Sequence, residues 1–388
     1  MKVVYTAPNR AHHYRYAHAL KRAGCLQAFV SGFPRISPQA KAPELNGMLH
    51  HSDLLQTLYV ASLKAQLPEG ISRYLGYLSK IEQDLSCKKY LKGADVFLFY
   101  NGSGLETARM AKRNGVITVV EAVNSHVENQ ERILEEEHKS LGIAWKPFPK
   151  KEKLRRLKEY NEADFILLPS DFVKRSFLVK GFPESKLLKV PYGFNTCTNR
   201  SNHTPGNRES FTVLFVGSIS VRKGVRYLIE AFHKISHPGK KLVLVGPNAN
   251  DGALKGLTIT HDIVFTGVLK GKDLEKIYQS ADVFCLPSIE EGLALVVGEA
   301  LSYGLPSIAT TNTGADDIIN NDEQGFIVPI RDSIAISQKL QALIDDNDLY
   351  ERIRFNAYKK SKDLNGWEET GNNLVRTLSK LVSDDEVF

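Results

Sequence analysis

Short apolar runs alternate with helix-periodic segments along this chain, stop once in a polar stretch, and then resume. Strands are predicted at 2–6, 27–31, 95–100, 116–121, 164–168 and 187–191, each a short run rich in β-branched and aromatic residues. Between them lie helical patterns at 13–23, across 52–91 with a break near Pro68-Glu69-Gly70, at 104–113, and in a polar stretch through Glu137. Residues 196–210, TCTNRSNHTPGNRES, carry almost no large apolar side chain and read as a connection between domains. Beyond them strands are predicted at 211–216, 241–245, 263–266, 283–286, 307–309 and 326–328, with a helix at 224–234. Buried strands separated by helices form parallel sheets covered on both faces. Two such blocks predict two doubly wound α/β domains, and 388 residues suffice for two cores. Ligands of such sheets bind beyond the carboxyl ends of the strands, so the cleft between the domains is the expected site.

Composition narrows the classes. An apolar fraction of 42% with 24% charge fits a soluble globular protein. No apolar run approaches the roughly 18 residues of a membrane span. The first six residues read as a strand rather than a leader peptide. Cys25, Cys87, Cys197 and Cys285 show no CxxC spacing and read as free thiols of a reducing cytoplasm. The sequons at Asn101, Asn199 and Asn202 carry no weight without secretion. A net charge of +7 favours an anionic partner, whether nucleotide, lipid or nucleic acid. From 146 to 158 there are seven cations and one acid, beside Trp145, Phe148, Leu154 and Leu157. That segment reads either as a contact for anionic membrane or as a solvated helix face. No aromatic–cation pattern suits single-stranded nucleic acid, so nucleic acid is not expected as a partner.

Two local patterns carry chemistry. Glu291-Gly292-Leu293-Ala294-Leu295-Val296-Val297-Gly298-Glu299 places two acids across an expected helix start. At helical rise they lie roughly 12 Å apart, about the distance from sugar to ribose in a nucleotide sugar. Free N–H groups of the first turn would face the diphosphate between them. Glu299 sits within an apolar run, where an acid needs a partner. The second pattern, Gly217-Ser218-Ile219-Ser220-Val221-Arg222-Lys223-Gly224, joins a strand, a glycine turn, two cations and a helix start. Such a turn suits phosphate, Arg as a fork and Lys as a point charge. It has neither Walker A nor GxGxxG spacing, and Gly102-Ser103-Gly104 misses the dinucleotide fingerprint at Thr107, which disfavours a nicotinamide enzyme. The Asp345-Asp346-Asn347-Asp348 run reads as a helix cap, and Glu131, Glu135, Glu136 and Glu137 as a solvated face.

On these residues the chain resembles retaining glycosyltransferases of the GT-B fold, family 4, known also as glycosyl transferases group 1. The likeness is strongest from 211 to 348, in VGSISVRKGVRYLIEAF, FTGVLKGKDLEKIYQSADVFCLPS, EEGLALVVGEALSYGLPSIAT and GADDIINNDEQGFIVP. It implies two Rossmann-like domains facing a cleft: an acceptor-side domain over 1–195, a linker over 196–210 and a donor domain over 211–366. A last helix, about 367–388, would pack back on the first domain.

By that resemblance Glu291 would hold the transferred sugar, Glu299 the ribose, and Lys223 the diphosphate. Gly217 and Ser218 would line the phosphate turn. The family often has Arg where this chain has Ser218, and Arg222 would supply that cation. Gly292, Leu293, Ala294 and Leu295 would offer backbone N–H groups, and Val268 and Leu269 would flank the base. His126, after the strand at 116–121, would sit near the sugar. The first loop lacks the family's glycine-rich turn, and Arg10, His12 and His13 there would meet an anionic acceptor. The resemblance further implies a metal-independent hexosyltransferase of class EC 2.4 without cofactor. Its donor would be a nucleoside diphosphate sugar and its acceptor a glycan or lipid-linked molecule, in cytoplasmic polysaccharide or lipopolysaccharide synthesis. A GT-B nucleotide-sugar epimerase and a catalytically silent nucleotide-sugar-binding protein are the alternative expectations.

Overall fold

A computed structural model describes residues 1–195 and 209–385. Most of the 196–210 connection, with Cys197, Asn199 and Asn202, therefore lies outside the described residues. The first domain comprises β1 (Val3–Ala7), α1 (His13–Arg22), β2 (Leu26–Ser31), β3 (Leu49–His51), α2 (Leu54–Lys64), α3 (Glu69–Cys87), β4 (Val96–Tyr100), α4 (Leu105–Arg113), β5 (Ile117–Glu121), α5 (Val127–Ser140), α6 (Lys150–Glu162), β6 (Phe165–Leu168), α7 (Asp171–Leu178) and β7 (Leu187–Lys189). The second comprises β8 (Phe211–Val216), α8 (Val225–Lys234), β9 (Lys240–Val245), β10 (Ile263–Gly267), α9 (Lys272–Ser280), β11 (Val283–Leu286), α10 (Leu295–Ser302), β12 (Ser307–Thr310), β13 (Gly325–Val328), α11 (Ser333–Asp345) and α12 (Asn347–Asp363). The last helix, α13 (Trp367–Asp385), lies against α1 of the first domain, where Arg22 pairs with Glu368 at 2.8 Å and Arg15 sits over the Trp367 ring.

Both sheets are parallel, with orders β3-β2-β1-β4-β5-β6-β7 and β10-β9-β8-β11-β12-β13. In each, strand order reverses beside the first strand, between β1 and β4 and between β8 and β11. Helices cover both faces, so β1, β11 and β12 are buried along their whole length. This is why those segments carry no charged residue and do not alternate buried with exposed positions. Tyr5, Phe29, Phe97 and Phe99 fill the first core, and Phe211, Phe215, Phe232 and Phe284 the second. The three-residue strand β3 was not predicted, since three residues carry no readable period. Asp346 caps α12, accepting from the Leu349 N–H at 2.9 Å.

Two sequence expectations change here. The acids of α5 divide: Glu135 and Glu136 are exposed as expected, whereas Glu131 and Glu137 are not. Glu137 is fully buried, accepting from the Tyr227 hydroxyl at 2.8 Å and pairing with Arg331 at 2.6 Å, both in the second domain. Glu131 pairs with Lys153 and accepts from the Phe148 N–H. The basic segment is likewise largely neutralised. Lys146 pairs with Glu69, Lys153 with Glu131, Arg155 with Asp84 and Arg156 with Glu152.

Candidate active site

The reversal between β8 and β11 brings the two motifs together. The turn after β8 carries Arg222 and Lys223, and the loop after β11 carries Glu290 and Glu291. Their backbones touch. Gly224 is left-handed (φ 62°), and a Cβ there would lie 2.0 Å from the Pro287 carbonyl oxygen, so only glycine fits the contact. Lys223 Nζ donates to Glu291, and Arg222 Nη1 lies 3.9 Å from the same carboxylate. Arg222 Nη1 also donates to the Glu290 carbonyl at 3.0 Å.

The helix begins later than the periodicity predicts. Helix α10 starts at Leu295, so Glu291 stands in the loop before it rather than in its first turn. Tertiary contacts hold that loop: the Glu291 N–H donates to Asn312 O at 2.9 Å and the Ala294 N–H to Thr313 O at 3.0 Å. The Leu295 N–H is turned back to Leu293 O. Ala294 and Leu295 are thus not free donors as expected, whereas the N–H groups of Gly292, Leu293 and Val296 have no acceptor among the described residues. Glu299, on α10, accepts from the Tyr278 hydroxyl at 3.4 Å. Burial raises its carboxyl above the ordinary value, against the lowering effect of Asn195 and Tyr278. Val268 is exposed and Leu269 half-buried, just past the end of β10. Gly217 directly follows β8, and the Ser218 hydroxyl after it donates to Pro247 O at 3.4 Å.

Glu290 was missed by sequence reasoning. Its carboxylate is fully buried and takes the Ser125 N–H (3.1 Å), the Ser125 hydroxyl (2.9 Å) and Gln130 Nε2 (2.9 Å) from the first domain, with Arg222 at 3.5 Å. Beside it the Ser170 hydroxyl donates to Gly292 O at 2.5 Å. A Cβ on Gly292 would sit 1.8 Å from the Val123 carbonyl oxygen. Glu290 and Gly292 therefore seat the loop between β11 and α10 on the first domain. The available sequence signal was the doubled acid, Glu290-Glu291, in an otherwise apolar stretch.

The residues expected from the first domain behave differently. His126 caps α5, accepting from the Glu128 N–H, and packs against Tyr160, Phe177 and Phe182. It is buried, and its neighbour Ser125 makes the contact across the domains. Burial lowers its pKa from 6.5 to about 4, with Glu128 opposing. The unfolded chain therefore binds this proton at higher pH than the native one. Stability from His126 is complete above 6.5 and is lost as pH falls from 6.5 toward 4. The urea midpoint should drop between about pH 7 and about pH 5, and drop less in His126→Asn, which keeps a capping acceptor.

His12 and His13 are not on an exposed loop. Both are buried around Glu121 at the end of β5: His12 Nε2 contacts one carboxylate oxygen and His13 Nδ1 lies 3.2 Å from the other. The Tyr5 hydroxyl donates to Glu121 at 3.1 Å. Burial, then His12, lowers His13 to about 4. Burial pushes Glu121 up, but the two histidines outweigh it and hold it well below the carboxylate range. Their ligand atoms lie within 4.8 Å of one another, so this set can accept a metal ion. Arg10 is half-buried over the Tyr14 ring. The glycine turn at Gly102-Ser103-Gly104 is filled from within. Buried Glu159 takes the Gly102 N–H, the Gly104 N–H at 3.0 Å and Asn101 Nδ2 at 3.1 Å, and burial pushes its carboxyl up to about 7. An internal carboxylate occupies the place where a phosphate would bind.

Two parallel sheets facing each other, with a phosphate-type turn and an acidic loop at the switch point of the second, define a GT-B protein. Residues 199–360 match the family described as glycosyl transferases group 1. The match takes in most of the second domain, less than half of the chain. An uncharacterised glycosyltransferase of Methanocaldococcus jannaschii is 31% identical over 168 residues, 42% of this chain and 43% of the relative. The sulfoquinovosyl transferase of Arabidopsis thaliana is 30% identical over 210 residues, 50% of this chain and 40% of the relative. The capsular polysaccharide biosynthesis glycosyltransferase CapM of Staphylococcus aureus is 32% identical over 157 residues, 39% of this chain and 41% of the relative. The chain thus spans less than half the length of these curated relatives.

Among solved structures, sucrose-phosphate synthase of Thermosynechococcus elongatus aligns over 99% of this chain and 100% of its own, with TM-score 0.70 at 16% identity. Anabaena HepE, in complex with UDP and glucose, aligns over 98% and 100%, with TM-score 0.63 at 15% identity. These likenesses extend the fold over both domains.

Proposed function

We propose that this chain is a retaining, metal-independent hexosyltransferase. It moves a sugar from a nucleoside diphosphate sugar to a glycan or lipid-linked acceptor in the synthesis of a cell-surface polysaccharide or lipopolysaccharide, in the cytoplasm and against an anionic membrane. The observation that carries this reading is the meeting of Lys223 and Arg222 with Glu291 at the β8–β11 switch point, next to the free N–H groups of Gly292 and Leu293. The relatives named for sulfoquinovosyl transfer and for capsular polysaccharide biosynthesis, and a fold neighbour bound to UDP, support the same substrate class. Among the described residues no helix is long and apolar enough to cross a membrane.

In this mechanism Lys223, Arg222 and the N–H groups stabilise negative charge growing on the departing diphosphate. The bond from the sugar's anomeric carbon to phosphate oxygen breaks while the bond to the acceptor oxygen forms on the same face. The leaving phosphate takes the acceptor proton. Glu291 holds the sugar hydroxyls, Glu299 accepts from the ribose, and Val268 and Leu269 flank the base.

Lys223→Ala should weaken nucleoside diphosphate binding about 10- to 100-fold, the effect of one charge-assisted hydrogen bond. Calorimetric titration of the wild type with UDP-, GDP- and ADP-sugars in the presence of chelator identifies the donor and tests the metal-free mechanism. An unchanged affinity in the variant removes Lys223 from the site, and no binding by any donor overturns the reading.

A further inference from the structure

The helical hairpin α2–α3 is built inside out. The buried positions of α2 and α3 include Ser62, Ser72, Ser79 and Gln83. The helices meet through small and polar groups: the Ser62 hydroxyl donates to Ser72 at 2.9 Å, Ser79 to Gln56 at 2.8 Å, and Gly76 lies against the Tyr59 ring. Several large apolar side chains point outward, while others, such as Leu55, Leu75 and Leu78, are half-buried. Leu54, Leu58, Leu63, Leu67, Ile71 and Tyr74 are between 45% and 67% exposed, running from the base of the hairpin to its tip. A pocket of about 400 Å³ between α2 and Phe33, Pro34 and Ile36 continues this surface. Water opposes such an arrangement, and clustered exposed apolar residues mark a surface that something else covers.

Charge says what covers it. The tip is rimmed by cations. Lys64 ends α2, while Arg73 and Lys146 share Glu69. Arg73 also donates to Pro147 O at 3.5 Å, which draws the basic segment alongside. Lys64, Lys150 and Lys151 have no ion pair among the described residues. A second copy would bring one cationic rim against another. An anionic lipid surface matches both halves, hydrocarbon for the leucines and headgroups for the lysines.

We infer that the α2–α3 hairpin is the element that docks this protein on an anionic phospholipid bilayer, inserting Leu63, Leu67 and Ile71 with Lys64, Lys150 and Lys151 at the headgroups. The inference rests on the proposed membrane-side acceptor. The basic segment alone, with four of its seven cations internally paired, is the lesser part of the surface.

Cosedimentation of the full chain with phosphatidylglycerol and phosphatidylcholine vesicles tests it. The wild type should bind the former and not the latter. The triple variant Leu63→Ser, Leu67→Ser, Ile71→Ser should lose at least about a hundredfold in partitioning at any salt concentration. The triple variant Lys64→Glu, Lys150→Glu, Lys151→Glu should lose binding most at low salt. Circular dichroism confirms that each variant folds. Wild-type levels of binding by the serine variant overturn the inference, as does absence of wild-type binding. A dimer that the serine substitutions dissociate overturns it in favour of self-association. Donor titration on the same samples separates the two readings: vesicle binding lost with donor binding intact bears on docking alone, and the reverse bears on the transferase reading alone.

Discussion

Glu291→Ala should cost about 10²- to 10³-fold in turnover while nucleoside diphosphate affinity stays level or rises. Glu291 is hydrogen bonded to Lys223 and 3.9 Å from Arg222. Before donor arrives, its carboxylate neutralises the cations that the diphosphate needs. Removing it leaves those cations free for phosphate. It also removes the acceptor for the sugar hydroxyls, so the anomeric carbon is no longer held in line. The first effect raises nucleoside diphosphate affinity, and the second leaves that affinity unchanged while lowering the rate. Titration with the nucleoside diphosphate and a steady-state assay of its release measure both. Equal losses in affinity and turnover contradict the sugar-holding role.

Gly292→Ala should lower turnover about a hundredfold with little change in nucleotide affinity. The added Cβ would lie 1.8 Å from the Val123 carbonyl oxygen. That oxygen belongs to backbone and cannot rotate away, so the domains must separate. Separation breaks the Ser170 hydrogen bond to Gly292 O and the Ser125 bonds to Glu290, leaving a buried carboxylate with fewer partners. The proposed nucleotide contacts lie within the second domain and should survive. Small-angle scattering should report a larger radius of gyration than in the wild type. Wild-type turnover in this variant would mean that the observed closure is not the productive one.

The two variants divide the site into parts of unequal legibility. The donor half was readable because its chemistry is local: a strand, a glycine turn and two cations within eight residues, and two acids spaced along one segment. The domain-spanning half was not. Glu290 looked like a duplicate of Glu291, yet its partner Ser125 is 165 residues away. Glu137 looked like a surface acid of a polar helix, yet Arg331, 194 residues on, makes it a buried link between domains. His12 and His13 looked like a loop open to acceptor until Glu121, 109 residues on, closed over them. The hairpin α2–α3 was read correctly as helical, but helical periodicity does not tell which face meets protein.

What the chain determined by itself is its run of buried strands, two doubly wound blocks and the residue types of a phosphate site. Each depends on backbone sterics and apolar patterning within a few residues. What only tertiary structure decided is where α10 begins, which acids are buried and which face of a helix stays uncovered. The Glu291 and Ala294 N–H groups could have opened a helix, but Asn312 and Thr313 supplied acceptors from the next strand connection and delayed it to Leu295. A charged or polar group takes its state from the partner it finds in space, and for Glu290, Glu137 and Glu121 that partner lies 165, 194 and 109 residues away in sequence.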